Sequence, residues 1–410
     1  MVLRDHPVAE GEKMTTTTSA ADNTVATLGF DDIKSRILRL APQLRERAQE
    51  IEDLRRLPLD VVEGLRECGV FRAAMPTEWG GPELTSMEQI SLIEELGKID
   101  GSVAWCSMIG MDSGIYAGYL RPDVARTVYP RLDMITAGAI LPVGRAHEVD
   151  GGFRVDGHWR FGSGCTHADW LLGGCNLFRD GEVVIGPHGG PIWLLILAPP
   201  SAYTIEDNWR TTGLAGTGSC DYLVSGLFVP TEHVLSLFLP ARDAPLHRGN
   251  GADTITRKMP GVPLGVARAA IDYVYELAEG RTDYPDQPWK QSRRIRIAVA
   301  ECEMRLAVAR SAVYSSVEAQ WKRLAANEPM TGHERAVAAL ARYHAFRAAR
   351  DIAETLYDLV GGDSVYRERT PLDRYVRDMT TACQHFAGQH RILELAGQLL
   401  LGEEPDIPLL

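Results

Sequence analysis

The stretch that decides the fold reads GHWRFGSGCTHADW over residues 157–170. With the preceding FRVD at 153–156, apolar or small residues alternate with polar ones as far as Phe161. This period predicts a half-buried strand with Trp159 and Phe161 on its inward face. The alternation stops at Ser163-Gly164, where a hydroxyl stands beside backbone without a side chain, so a flat ligand can approach closely. Since functional groups are often carried where an element ends, we predict a binding site here.

The composition is that of an ordinary folded protein, and the net charge argues against some classes of binding partner. The 410 residues are 45% apolar and 24% charged, which is enough for two or three domains. The net charge of −12 argues against nucleic acid or an anionic membrane as the main partner. No apolar run reaches the length of a membrane span. The first residues lack the charged-then-apolar pattern of an export signal, so we expect a cytoplasmic protein.

The cysteines argue against both a disulfide framework and a metal centre. There are seven of them, an odd number, and none belongs to a CxxC pair. They stand at positions 68, 106, 165, 175, 220, 302 and 383. We therefore expect reduced thiols and no metal site.

Changes in hydrophobic period divide the chain into segments. Helical spacing comes first, then short alternating runs broken by Gly, Pro and Asp, and then helical spacing again. We predict a disordered leader over 1–30, a helical domain over 31–133, an antiparallel β barrel or sandwich over 134–248, a helical bundle over 249–403 and a tail over 404–410. The bundle helices are predicted at 262–279, 290–322, 334–360 and roughly 374–400. Because no βαβ alternation occurs, the fold class is α+β without a Rossmann sheet.

Several motifs in these segments resemble one known family. They are residues 75–81 (MPTEWGG), the strand from Trp159 to Trp170, residues 213–219 (GLAGTGS) and residues 228–230 (FVP). They resemble the acyl-CoA dehydrogenase fold, which consists of a helical domain, a small β domain and a C-terminal four-helix bundle. The resemblance covers roughly residues 31–402.

A second group of motifs resembles a subgroup of that superfamily. These are residues 141–146 (LPVGRA), 151–153 (GGF), 361–362 (GG) and 371–378 (PLDRYVRD). They are most similar to the oxygenase components of two-component flavin monooxygenases, such as hydroxylases of p-hydroxyphenylacetate, secosteroid phenols and polyketide aromatics, and the dibenzothiophene monooxygenases. The resemblance implies a homotetramer that hydroxylates an aromatic or polycyclic small molecule through a flavin C4a-hydroperoxide. It also implies reduced FMN or FAD with molecular oxygen as cosubstrate, and a separate flavin reductase as partner.

The segment before the end of the bundle separates an oxygenase from a dehydrogenase. A dehydrogenase of this family needs a carboxylate base, commonly just before the last helix, but residues 379–385 read MTTACQH. A histidine with a pKa near neutrality can deprotonate a phenol or hydrogen-bond a hydroperoxide. The family has a histidine eight residues beyond the Arg of an Arg-Asp or Arg-Asn pair, and Arg377 and His385 have that spacing. Glu276 and Glu279 remain as alternative bases on the first bundle helix.

The resemblance assigns roles residue by residue. His385 is expected to act as base or hydroperoxide partner, and Ser163 as a hydrogen-bond donor to the flavin edge. The other expected flavin contacts are Trp105, Leu141, Val143, Gly164, Arg281, Gly361 and Gly362. Of these, Arg281, Gly361 and Gly362 are expected to hold the flavin phosphate across a subunit interface.

Plain structural interpretations stay open for several of these residues. Trp105 fits the core as well as a flavin wall, Arg281 fits a solvated helix end, and Gly361-Gly362 fits a helix stop. His167 fits a loop cap as well as a site, and His390 is expected to be structural or solvent-facing.

Other functions also stay open. An acyl-CoA dehydrogenase with bound FAD, an N- or S-oxygenating relative, and a ligand-binding helical protein without enzymatic activity are the alternatives. The substrate-binding residues are not identified at this stage.

Overall fold

The computed structural model describes residues 28–186 and 189–405. Most of the predicted leader and the end of the predicted tail lie outside these residues. The first part of the described chain is helical, as predicted. Its helices are α1 (Phe30–Glu46), α2 (Ala48–Leu54), α3 (Leu59–Cys68), α4 (Ser86–Gly97), α5 (Gly101–Met111), α6 (Ser113–Ala117) and α7 (Pro122–Val128).

The middle part is a sheet of eight strands. They are β1 (Thr136–Val149), β2 (Gly152–Gly162), β3 (Trp170–Arg179), β4 (Glu182–Val183), β5 (Trp193–Ala198), β6 (Thr204–Ile205), β7 (Cys220–Pro230) and β8 (Val234–Leu235). The strand order is β6-β7-β2-β1-β3-β5-β8, and β4 pairs with the outer end of β3. The interior of this sheet packs around Trp159, which stacks on Tyr222 with ring centroids 5.5 Å apart.

The prediction of an antiparallel sheet was wrong at one pair of strands. β3 pairs with β1 in parallel, with Thr136 opposite Trp170, so the sheet is mixed. The reason is the loop at 163–169, which carries the chain from the end of β2 across the start of β1 to its other side. The backbone N–H groups of Asp169 and Trp170 both donate to the carbonyl of Ile135 and fix this crossing. The crossing loop begins with the Ser163-Gly164 pair.

The last part is a helical bundle. Its helices are α8 (Gly251–Thr256), α9 (Gly261–Gly280), α10 (Arg293–Ala325), α11 (Gly332–Val360), α12 (Leu372–Ala382) and α13 (Arg391–Leu400), and two short strands, β9 (Thr282–Asp283) and β10 (Gln287–Pro288), follow α9. The predicted single helix over 374–400 is broken, because the backbone forms a 3₁₀ turn at Phe386–Gly388 that His385 caps. In the described part of the chain, no helix is both long and apolar enough to cross a membrane.

Buried polar contacts join the helical parts to one another. The buried carboxylate of Glu94 on α4 accepts hydrogen bonds from Arg310 Nε and Tyr314 Oη of α10, both at 2.8 Å. Charge-assisted bonds of this kind are stronger than neutral ones and fix orientation. These contacts fix α4 of the first helical part against α10 of the bundle.

Candidate active site

A pocket of about 420 Å³ lies where the first helices, the sheet and the bundle meet. Its size falls within the range of ligand and cofactor sites, ~300–1,000 Å³. One helix face supplies an entire wall, because its residues are three and four positions apart. This wall consists of Trp105, Met108, Ile109, Asp112 and Tyr116. The opposite walls come from the first residues of β1, from the end of β2 with Ser163, and from residues between 214 and 219. The end of α8 with the turn after it, and residues between 381 and 389, complete the lining.

A chain of hydroxyl groups crosses the sheet side of the pocket. Ser163 Oγ lies 2.7 Å from Ser219 Oγ, which lies 2.7 Å from Thr217 Oγ1. Thr217 Oγ1 donates its proton to the carbonyl of Leu214 at 2.7 Å, so Ser219 must donate to Thr217. Ser163 must in turn donate to Ser219, and Trp105 Nε1 donates to Ser163 Oγ at 3.1 Å.

The hydrogen-bond directions in the hydroxyl chain determine what Ser163 can offer a ligand. Its single proton is used within the chain, so the hydroxyl oxygen can offer the pocket only a lone pair. These hydrogen bonds favour an acceptor at Ser163 over the predicted donor to a flavin edge. The location itself agrees with the expectation, since Ser163 is buried and lines the pocket.

His385 lies in the break between α12 and α13 and also lines the pocket. Its Nδ1 accepts the N–H of Ala387 at 3.3 Å, which assigns the ring proton to Nε2. The ring packs edge-on against Trp105 with centroids 5.4 Å apart. Burial, and then the Arg342 guanidinium, lower the pKa of His385 to about 4. At neutral pH His385 is thus an uncharged imidazole with an Nε2–H donor.

The Arg-Asp pair at 377–378 positions the loop that carries the hydroxyl chain. Asp378 Oδ1 accepts the N–H of Leu214 at 2.6 Å, and Arg377 Nη1 donates to the carbonyl of Thr212 at 2.6 Å. A Cβ on Gly213 would lie 2.0 Å from the Arg377 carbonyl, so only glycine permits this approach. Burial, and then Asp100, raise the pKa of Asp378 to about 7. Neither residue of the pair lines the pocket.

Phe161 departs from the predicted strand pattern. It was expected on the inward face beside Trp159, but its φ is +65° and its side chain is 59% exposed. A positive φ reverses the direction of the side chain and is strained for a bulky residue. Phe161 consequently lines the pocket, edge-on to Trp209 at 6.2 Å.

Of the other residues predicted near a flavin ring, Leu141 lines the pocket, whereas Gly164 and Val143 do not. Leu141 lines the pocket, and its neighbours bulge from the sheet because the pairing of β1 with β3 shifts between Ala139 and Gly144. Gly164, at φ +77°, donates its N–H to the Thr217 carbonyl at 2.9 Å and so supports the hydroxyl chain. Val143 is 61% exposed and is not part of the pocket lining.

Arg281, Gly361 and Gly362 form a separate cluster at one end of the bundle, which we call the bundle-end cluster. Arg281 Nη2 donates to the Val360 carbonyl at 3.2 Å and pairs with Asp363 at 2.9 Å. Gly361 has φ +74° and ends α11. None of the three lines the pocket of this chain, so the structure brings them to one another but not to His385 and Ser163.

The alternative residues of the sequence analysis lie outside the pocket lining. Glu276 and Glu279 are exposed on α9, and His390 is exposed at the start of α13. His167 is buried, and neither of its ring nitrogens has a hydrogen-bond partner within residues 28–186 and 189–405. Burial, and then Arg66, lower the pKa of His167 to about 4, so it is a neutral interior residue.

Sequence reasoning missed the polar groups of Asp112 and Tyr116, whose end of the helical wall we call the deep end of the pocket because both residues are buried. Asp112 ends α5, and Tyr116 follows four residues later on the same face. Asp112 Oδ1 accepts a hydrogen bond from Lys258 in the turn after α8. The spacing of Trp105, Asp112 and Tyr116 along one helical face was visible in the sequence, but their common exposure to a pocket was not.

Comparisons with known proteins identify the family and the fold. Family models match in two places: the acyl-CoA dehydrogenase N-terminal domain over residues 16–121 and the C-terminal domain over residues 260–390. An indole-3-acetate monooxygenase of Pseudomonas putida is 31% identical over 364 residues, which cover 88% of this chain and 91% of that protein. The oxygenase subunit HsaA of a flavin-dependent monooxygenase of Rhodococcus jostii is 29% identical, over 86% of this chain and 93% of that protein.

A solved structure gives the same result for the fold. The 3-HSA hydroxylase of Rhodococcus sp. RHA1 superimposes with a TM-score of 0.84 at 27% identity, covering 92% of this chain and 99% of that one. The resemblance found in the sequence is therefore confirmed. The chain belongs to the flavin-dependent monooxygenases that are built on the acyl-CoA dehydrogenase fold.

Proposed function

We propose that this chain is the oxygenase component of a two-component system that hydroxylates an aromatic or polycyclic small molecule. The observation that carries the proposal is the pocket itself, because Ser163, with a free lone pair, and His385, with an Nε2–H, both line one mostly apolar pocket. A separate reductase supplies reduced FMN or FAD, because no nicotinamide-binding βαβ unit occurs among the described residues. Oxygenase subunits among the relatives support this division of labour.

The residues of the pocket fit a reduced flavin. Reduction places protons on the ring nitrogens of a flavin, so the reduced ring offers N–H donors where the oxidised ring offers acceptors. Ser163 offers an acceptor, and Gly164 supports it from behind by donating its N–H to the Thr217 carbonyl. Trp105, Leu141 and Leu214 supply apolar surfaces for a flat ring. A bound reduced flavin would supply two electrons to molecular oxygen, so that one oxygen atom is transferred to the substrate and the other leaves as water.

The chain positions the His385 ring, provides its Nε2–H as a hydrogen-bond donor, and lines the pocket with apolar side chains that exclude water. Trp105 is held by its bond to Ser163, and it in turn orients the His385 ring. The neutral Nε2–H of His385 donates to an oxygen in the pocket at neutral pH, and the unprotonated state needed for a base is available above a pH of about 4. The apolar walls exclude water, which protects reactive oxygen species from wasteful decay.

We further propose that the bundle-end cluster holds the flavin phosphate of a neighbouring subunit in a homotetramer. Arg281 is only partly buried, and no atom lies within 4 Å of a Cβ built on Gly361 or Gly362, so the surface is open to a partner. The ion pair with Asp363 must be exchanged for the phosphate. Val143, which is exposed on β1, is proposed to contact the flavin from outside the pocket lining. All seven cysteines are unpaired thiols, which supports a cytoplasmic location.

Among the described residues, no carboxylate lines the pocket at the positions expected for a dehydrogenase base. The stretch from Thr381 to Gln389 contributes no carboxylate to the pocket, and Glu276 and Glu279 are exposed elsewhere. The carboxylate of Asp112 does line the pocket, but Lys258 pairs with it. An N- or S-oxygenating reaction would use the same pocket residues, and analysis of the product distinguishes it from aromatic hydroxylation.

The dependence on a reductase tests the proposal. The purified chain with NADH and oxidised flavin should neither consume NADH nor form product. Addition of any flavin reductase should start oxygen-dependent product formation from an aromatic acceptor. Oxidation of NADH by this chain alone would refute the two-component assignment, and a protein that stays yellow with tightly held oxidised FAD would favour the dehydrogenase.

A further inference from the structure

A buried ion pair lies at the deep end of the pocket, away from the hydroxyl chain. The side chains of Asp112 and Lys258 are 5% and 1% exposed. They come from different helices, with Asp112 at the junction of α5 and α6 and Lys258 in the turn between α8 and α9. Since buried ion pairs seldom add net stability over apolar residues of the same volume, stability alone does not explain this pair.

The pair presents one acceptor to the pocket. Lys258 donates to Oδ1 of Asp112, and no hydrogen bond to Oδ2 is found among residues 28–186 and 189–405. The side chain of Tyr116, one turn further along, lines the pocket beside Asp112, and its hydroxyl makes no hydrogen bond within the described chain. The backbone N–H of Tyr116 donates to the Asp112 carbonyl at 2.9 Å, which fixes the two side chains on one helical face.

The charge at this end selects the kind of group that fits. A desolvated carboxylate oxygen strongly favours an N–H or O–H donor, and leaving it without one is costly. The Lys258 charge is already balanced by Asp112, so this end has no spare positive charge for an anionic group. Met108, Ile255 and Met259 supply apolar surfaces around the pair for an aromatic ring.

We propose that Asp112, positioned by Lys258, and Tyr116 form the substrate-recognition end of the pocket and select aromatic substrates that carry an N–H or O–H donor. The proposal rests on the function proposed above, because it assigns the deep end of the same pocket to the substrate. Lys258 acts as a positioning residue: it fixes Oδ1 so that Oδ2 points to the donor. A substrate whose donor is methylated loses the hydrogen bond and leaves the carboxylate unpaired.

Two matched pairs of probes test this selection. Indole and 1-methylindole differ by one N–H donor, and phenol and anisole differ by one O–H donor. Their dissociation constants are measured by anaerobic calorimetry on the protein saturated with reduced flavin. A hydrogen bond to a charged group corresponds to roughly a tenfold or greater difference in affinity, so each donor probe should bind at least about tenfold more tightly than its methylated partner.

The variants separate recognition from folding. Removal of one charge would leave the other buried and unpaired, so the informative variant is Asp112→Leu/Lys258→Met, which replaces both with apolar residues. It should bring both affinity ratios close to one while affinity for 1-methylindole and for reduced flavin stays unchanged. Tyr116→Phe keeps the pair and should lower the ratios about threefold. Asp123→Asn, which changes an exposed aspartate paired with Arg121, should alter none of these values.

The outcomes are distinct for the two proposals. The recognition role would be overturned by affinity ratios near one in the unchanged protein, or by failure of both probe pairs to bind. It would also be overturned by affinity ratios that stay unchanged in the double variant. None of these results would affect the monooxygenase proposal. If the double variant does not fold, an unchanged ratio in Tyr116→Phe overturns it instead. Failure of the unchanged protein to bind reduced flavin would overturn the proposed function itself.

Discussion

The pocket and the bundle-end cluster differ in how complete they are within one chain. In the pocket, Trp105, Ser163 and His385 contact one another or share partners, and each proton along the hydroxyl chain has a defined recipient. In the bundle-end cluster, Arg281 faces the glycine turn, but Asp363 already neutralises it. The difference shows that the contacts of the pocket are complete within the single chain, whereas Arg281 would have to leave an internal ion pair before it could bind the proposed phosphate.

The largest effect is expected at His385. Replacement by Ala should leave folding and reduced-flavin binding largely intact, because the ring makes a single weak hydrogen bond to the backbone. Product formation should fall ~10²–10⁴-fold, the usual contribution of proton transfer or hydrogen bonding by such a group, while release of hydrogen peroxide rises. Coupled turnover assays measure both quantities. His390→Ala, an exposed change five residues away, serves as the control.

Hydroxylation at the unchanged rate with unchanged coupling would show that His385 has no part in the reaction. A loss of activity that accompanies loss of the folded oligomer would assign His385 a structural role. The pocket would then lack its proposed hydrogen-bond donor, and the contrast with the bundle-end cluster would no longer hold.

Ser163→Ala should have the next largest effect. It removes the acceptor at the pocket wall and leaves the Trp105 N–H without a partner. The dissociation constant of reduced flavin should rise about tenfold, whereas that of oxidised flavin, which offers no N–H at those ring positions, should change little. Anaerobic fluorescence titration measures both constants. Ser225→Ala, whose hydroxyl bonds only to the exposed Asp156, is the matched control. Equal weakening of both redox forms would contradict the acceptor role.

The neutrality of His385 predicts a dependence of stability on pH. Its pKa is about 4 in the folded chain and near the ordinary 6.5 when unfolded. Between these values the unfolded chain binds the proton and the folded chain does not, so the free energy of unfolding falls as the pH drops from about 6.5 to 4. Relative to His385→Asn, the unchanged protein should lose about 1–2 kcal/mol over this range, discounted because the ring is only partly buried. Denaturant titrations at several pH values measure this difference. A constant difference would show that the pKa is not lowered.

The smallest effect is expected in the bundle-end cluster. Arg281→Ala should weaken binding of reduced FMN about threefold, typical of an exposed ion pair, and should leave riboflavin, which lacks a phosphate, unchanged. Asp363→Ala should act in the opposite direction, since it frees the guanidinium. Comparison of the two ligands in a binding titration separates phosphate contact from general destabilisation. Identical responses of FMN and riboflavin would remove the phosphate role.

The sequence was sufficient for the order of the parts and for local periodicity. The strand ending at Gly162 and the helices α9 to α11 lie within a few residues of their predictions, because the burial pattern of each is local. Ala338, Ala345 and Ile352 of α11, which are seven residues apart and so share one helix face, are all buried. The positions of Ser163 and His385 in one pocket agree with the family motifs.

The remaining features depend on contacts between distant parts of the chain. The parallel pairing of β1 with β3 follows from a crossing loop, and the reversal of Phe161 from a single backbone dihedral. The polarity of Ser163 is set by Ser219 and Thr217, more than fifty residues away. Periodicity does not record which distant donor or acceptor will meet a side chain.

Oxidation of the bound reduced flavin tests the central claim most directly. The anaerobic complex of the chain with reduced FMN or FAD is mixed with oxygen in a stopped-flow spectrometer, without reductase. If the pocket is the complete and dry site described here, a near-ultraviolet band should form and persist far longer than free reduced flavin takes to oxidise. Oxidation at the rate and with the spectrum of free flavin would show that this pocket does not hold the reacting cofactor.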